Sequence, residues 1–167
     1  MFQNLFGNKP NNQGMSLIEI LIVIFIVSVT LSSVLGLTSF SLRAVSFTKQ
    51  SYRANTIAQQ LLEQVRNLRD ETNWDADGLG TLIIDIDYYI IKTSSPEKWQ
   101  MVQGTETIDG FTRKVVFNQV GRDGSDNIVE SGGATDLNTK KIIATVSWEE
   151  LNKSHEIELI TYLTNWK

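Results

Sequence analysis

The hydrophobic pattern of the chain changes its period twice. Across residues 20–42 no side chain carries a charge, and the apolar run is interrupted only by Ser, Thr and Gly36. Twenty-three residues at 1.5 Å rise make a helix of roughly 35 Å, enough to cross a ~30 Å hydrocarbon core. After Arg43 the spacing becomes that of an amphipathic helix. Ala54, Ile57, Ala58, Leu61, Leu62, Val65 and Leu68 recur at intervals of three and four, while Arg53, Gln60, Glu63, Arg66, Arg69 and Asp70 fill the other positions. No proline interrupts residues 17–70, so one helix is predicted from about Met15 to Asp70. Gly36, beside Ser32 and Ser33, is its expected soft point, because glycine in a helix interior costs about 1 kcal/mol relative to alanine.

The second change is to a period of two. Asp75, Asp77, Gly78 and Gly80 mark a loop after Trp74, which is expected to cap the domain core at the helix end. Leu82, Ile84, Ile86, Tyr88 and Ile90 then alternate with Ile83, Asp85, Asp87, Tyr89 and Ile91, the signature of a half-buried strand with Asp85 and Asp87 on its solvent face. Trp99, Met101 and Val102 suggest a short neighbour after the break at Pro96. Residues 112–120 read as a third strand, Ile142, Ala144, Val146 and Trp148 give one face of a fourth, and Ile157, Leu159, Thr161 and Leu163 one face of a fifth. A turn around Asn152 makes the last two an antiparallel hairpin. The fold class that follows is α+β, with a C-terminal antiparallel sheet packed on the second half of a long N-terminal helix.

Composition narrows the function. The 167 residues carry a net charge of −4, with pI near 5.0, which argues against a nucleic-acid surface. Cysteine is absent, so no disulfide framework, thiol nucleophile or Cys-ligated metal is available. No Walker glycine loop, dinucleotide fingerprint or His-rich motif occurs. His155, the single histidine, has no triad pattern around it and is expected to be an exposed strand residue. In the Gly- and Asp-rich region 121–138, Asp123, Asp126, Glu130 and Asp136 are candidate oxygen ligands for calcium. Their spacing does not match an EF-hand, and a solvated surface loop is the reading taken. No enzyme and no cofactor are expected.

One residue stands against the pattern. Glu19 places a carboxylate at the head of the apolar run, where a charge costs roughly 2.5–3.5 kcal/mol if carried to the membrane centre. Gly14 stands five residues before it, ahead of the apolar run instead of after it. That order is the reverse of a secretory signal, whose small-residue cleavage site follows the apolar region. Gly14, Met15, Ser16, Leu17, Ile18 and Glu19 in this order resemble the class III signal of type IV prepilins and type II secretion pseudopilins. Ala58, Gln59, Glu63, Val65, Arg66, Asn67, Arg69, Asp70, Asn73 and Trp74 are further similar to the helix end of PilV-like minor pilins.

The resemblance implies a pilin-like fold. It also implies cleavage between Gly14 and Met15 by a prepilin peptidase and N-methylation of the new Met15 amine. It divides the chain into a leader (1–14), a transmembrane and fibre-core half of the helix (15–45), an amphipathic half (46–73) and a sheet domain (74–167). The implied partners are other pilin subunits, the peptidase, an inner-membrane assembly platform and the membrane itself. The implied course is from a single-pass precursor in the cytoplasmic membrane to an extracellular or periplasmic fibre. Orientation with the leader inside rests on the resemblance, because Arg43, Lys49 and Arg53 outweigh Lys9 in charge. Glu19 would meet the Met15 amine of a neighbouring subunit and set the register between helices. A minor pilin of a type IV pilus is the preferred function. A type II secretion pseudopilin, or a single-pass anchored binding protein that never polymerises, are the alternatives.

Overall fold

The computed structural model describes residues 16–129 and 132–166. Two compact units divide the chain after Val45, and one α-helix, α1 (Leu17–Glu71), contributes to both. The expected helix is present almost to the residue and is unbroken at Gly36.

The second unit, from Ser46 onward, joins the end of α1 to a seven-stranded antiparallel sheet. Its strands are β1 (Asp87–Ser94), β2 (Glu97–Gln103), β3 (Glu106–Ile108), β4 (Phe111–Arg122), β5 (Ile128–Val129), β6 (Ala134–Glu150) and β7 (Lys153–Thr164). The order across the sheet is β2-β1-β4-β6-β7, with β3 and β5 both paired to β4. The helix stripe read from the sequence is the buried face: Leu61, Leu62, Val65 and Leu68 join Tyr88, Ile90, Val115, Phe117, Ile142, Ala144 and Leu163 in one core. Ala54 and Ala58 pack with Phe111, Val146 and Trp148 in a second. The small alanines let the helix backbone approach the large rings of Phe111 and Trp148. Trp74 is buried in the main core, with its indole Nε1 donating to the Leu137 carbonyl at 3.3 Å.

The strand expected over residues 82–91 is corrected at its start. Asp85 adopts φ 59°, a left-handed conformation that ends extended pairing, and its N–H donates to the Phe117 carbonyl at 2.9 Å. The alternation of residues 82–86 therefore belongs to an irregular segment, whose Leu82 and Ile86 still pack on the core. Asp85 and Asp87 do not share a bare solvent face. Asp85 accepts from Asn118 Nδ2, and Asp87 pairs with Lys114 at 3.1 Å.

The region 121–138 is less loop than expected. It holds the end of β4, all of β5 and the start of β6. The β4–β6 register jumps between Gln119 and Val120, which pair with Lys140 and Asp136. Residues 137–139 bulge out of the ladder, and the bulge is what presents the Leu137 carbonyl to Trp74. The turn around Asn152 is present as a two-residue hairpin, with Leu151 at φ 51° and Asn152 at φ 60°. Both central residues are left-handed, the geometry that matches the twist of paired strands.

Candidate functional site

The N-terminal helix is the chain's principal functional candidate. The first described turn of α1 starts at Ser16, whose carbonyl accepts from Glu19 N–H at 2.9 Å and Ile20 N–H at 3.2 Å. Glu19 thus sits in the first turn, where the positive end of the helix dipole favours a carboxylate. Among the described residues it has no ion-pair partner. Gly14 and Met15 lie outside the described residues.

From Leu17 to Phe47 the large apolar side chains are exposed, among them Leu17 at 75%, Phe25 at 69% and Phe40 at 74%. Burying one such side chain is worth about 1.5–3 kcal/mol, so a bare row of them is unfavourable in water. By length and composition α1 is able to cross a membrane. Its polar groups are consistent with that use. The hydroxyls of Ser28, Thr30, Ser32, Ser33, Thr38 and Ser39 all donate to helix carbonyls three or four residues earlier, at 2.7–3.0 Å. Each is satisfied within its own helix and needs no water, as an apolar surrounding demands.

Of the calcium candidates, Asp123, Asp126 and Asp136 serve a corner of the sheet unit instead. Arg122 reaches Asp136 through Nε at 2.6 Å, the Asp126 carbonyl at 2.8 Å and Thr139 Oγ1 at 3.3 Å. A guanidinium therefore stands among the carboxylates considered for calcium. Asp123 accepts from the N–H groups of Ser125 and Asn127, both at 2.9 Å, and closes its own loop. Glu130 lies outside the described residues. Among the described residues no group of three or more His, Cys, Asp or Glu side chains is placed to hold a metal ion.

These contacts set a pH response. The Thr139 hydroxyl, followed by the Arg122 guanidinium, holds the Asp136 carboxyl below the usual aspartate range. A carboxyl lowered in the folded state adds stability above the unfolded aspartate pKa, and that contribution is lost as pH falls through the folded value. The 122–139 corner is expected to open in acid first. Limited proteolysis should cut it faster at about pH 2 than at about pH 6, and Asp136→Asn should flatten this difference. Equal acid sensitivity in the variant would contradict the assignment.

His155 is corrected from an exposed strand residue to a half-buried one. Its ring stacks on Trp148, with centroids 5.5 Å apart and planes 27° apart, and meets Phe47 edge-on at 5.1 Å. His155 stands in β7 on the same face as Ile157, Leu159, Thr161 and Leu163, so the alternation of that strand already turns it inward, and Phe47 of α1 covers it. A cleft of about 530 Å³ runs along Leu68, Thr72, Gly78, Trp99 and Met101. The Thr72 hydroxyl there donates to the Leu68 carbonyl at 2.6 Å and is committed to the helix end.

Residues 9–35 match the family model described as the prokaryotic N-terminal methylation motif. The matched span contains Gly14, Met15 and Glu19 and the first part of α1. The match supports a prepilin of the type IV pilin-like or pseudopilin-like kind, a group whose members are structural subunits. Together with the apolar helix it is consistent with membrane anchoring. No curated protein and no solved structure matches the chain.

Proposed function

We propose that the chain is a minor subunit of a type IV pilus, cut between Gly14 and Met15, N-methylated at Met15 and polymerised through α1. The observation that carries this reading is a methylation motif placed over a helix of membrane length whose apolar side chains are uncovered. Before assembly, lipid covers the 17–45 surface. After extraction, the same surface of neighbouring subunits covers it, so one apolar helix serves both states. Glu19 is the assembly contact and meets the methylated amine of Met15 on a neighbour. The 46–73 half of the helix anchors the 74–167 sheet domain, which forms the outer surface. No step in this role is catalytic. The PilV-like residues between Ala58 and Trp74 favour a minor pilin over a type II secretion pseudopilin.

Intact mass spectrometry of protein sheared from cells tests the reading. The expected mass is that of a chain starting at methylated Met15. A chain retaining residues 1–14, or absence from the fibre fraction, overturns it.

A further inference from the structure

The hairpin between β6 and β7 carries a sequence feature that the assembly role does not use. Of the twelve asparagines in the chain, only Asn152 is followed two residues later by Ser or Thr, namely Ser154. Lys153 lies between them, so the triplet satisfies the Asn-x-Ser/Thr rule with x other than proline. Placement turns the triplet from a string match into a candidate site. Asn152 is the second residue of a two-residue turn, with φ 60°, and Leu151, Asn152, Lys153 and Ser154 are all exposed. The strands on either side are held in register, with Glu150 opposite Lys153 and Glu149 opposite Ser154. Exposed hairpin tips of this kind open locally before the paired strands do, which gives an enzyme access without unfolding the sheet. Glu150, two residues ahead of the asparagine, offers a carboxylate that a cationic enzyme groove can hold as a second anchor.

We propose that Asn152 is an acceptor for N-linked glycan transfer. The inference rests on the reading above, because it requires the sheet domain to lie outside the cytoplasm. The donor class is an oligosaccharide linked through pyrophosphate to a polyisoprenyl lipid. Asn152 Nδ2 forms a bond to the anomeric carbon of the first sugar, and the bond from that carbon to the pyrophosphate oxygen breaks. The lipid pyrophosphate leaves with the electron pair, and one Nδ2 proton passes to a base of the transferase. A bulky hydrophilic group at this turn would keep the hairpin tip, with its exposed Leu151, from associating with other chains.

The test uses the full chain purified from the membranes of the cells that make it. Glycopeptide mass spectrometry should find a sugar increment on the peptide containing Asn152. Asn152→Gly and Ser154→Ala should each remove it, and Ser154→Thr should retain it. Glycine suits the left-handed turn, so loss of the increment in Asn152→Gly reports the missing amide and not a broken hairpin. A protease added outside spheroplasts separates the two readings. If the sheet domain is cut but carries no sugar, the glycan inference falls and the external location stands. If the domain resists the protease and carries no sugar, the location reading fails and the inference fails with it. An increment that persists in Asn152→Gly also overturns the assignment.

Discussion

Glu19→Ala is expected to lower incorporation into fibres by about 100-fold or more, while the level of the chain in the membrane stays unchanged. Within the fibre core the carboxylate would pair with a positive amine in an apolar setting. Removing one partner of a buried pair costs about 3–5 kcal/mol, because the other charge is left uncompensated. At about 1.4 kcal/mol per factor of ten, that cost is at least two orders of magnitude in assembly. The substitution should not disturb folding, since Glu19 is exposed in the first turn of α1 and lies outside the sheet unit. The measurement is quantitative immunoblotting of sheared fibres against the membrane fraction. Equal fibre incorporation of Glu19→Ala and the unaltered chain would refute the assembly role. A fall in both fractions would point to instability instead, and would equally deny Glu19 a register-setting role.

Phe117→Ala is expected to give the largest loss of stability in the sheet unit. Phe117 is fully buried in the middle of β4, and its ring meets Tyr88 edge-on with centroids 5.9 Å apart. It touches the core from which α1, β1 and β6 are held together. Truncating a buried phenylalanine costs about 3–5 kcal/mol through lost transfer energy and the cavity left behind. A domain of this size has about 5–15 kcal/mol to lose, so the thermal midpoint should fall by about 10–25 °C. Tryptophan fluorescence of the full chain in detergent micelles would report it through Trp74 and Trp148, which belong to the two core clusters. A shift under about 3 °C would mean that the core is not organised around Phe117.

Both variants fall in elements that were legible in the sequence, the head of the long helix and a central strand. The helix was legible because its determinants are local. The 54–68 stripe repeats at the helical period, no proline intervenes, and the same residues form the buried face. The central strands were legible for the same reason, since Val115, Phe117, Ile142 and Ala144 alternate with less buried neighbours. Residues 82–86 alternate equally well and are not a strand. Their conformation is decided by Asp85 turning left-handed to meet Asn118 and the Phe117 carbonyl, partners more than thirty residues away. β3 and β5 have three and two residues, too few for any period to register. The start of β6 lies in a stretch whose glycines and aspartates signal a loop. It is drawn into the ladder by pairing with the end of β4, and its bulge is held by Trp74 and Arg122.

For the candidate site the division is sharper. The sequence alone determined a helix of membrane length, the carboxylate at its head and the glycine before it, because each depends only on residue type and spacing. Tertiary structure decided the fate of the other polar groups. It put Arg122 among the acidic residues of the 122–139 corner, closed the Asp123 loop on itself, and brought the His155, Trp148 and Phe47 rings into one cluster. The physical reason is the range of the forces involved. Helical period and membrane length are summed over neighbours along the chain, whereas the partner of a charge or a ring is whichever group the packed sheet brings within a few ångströms.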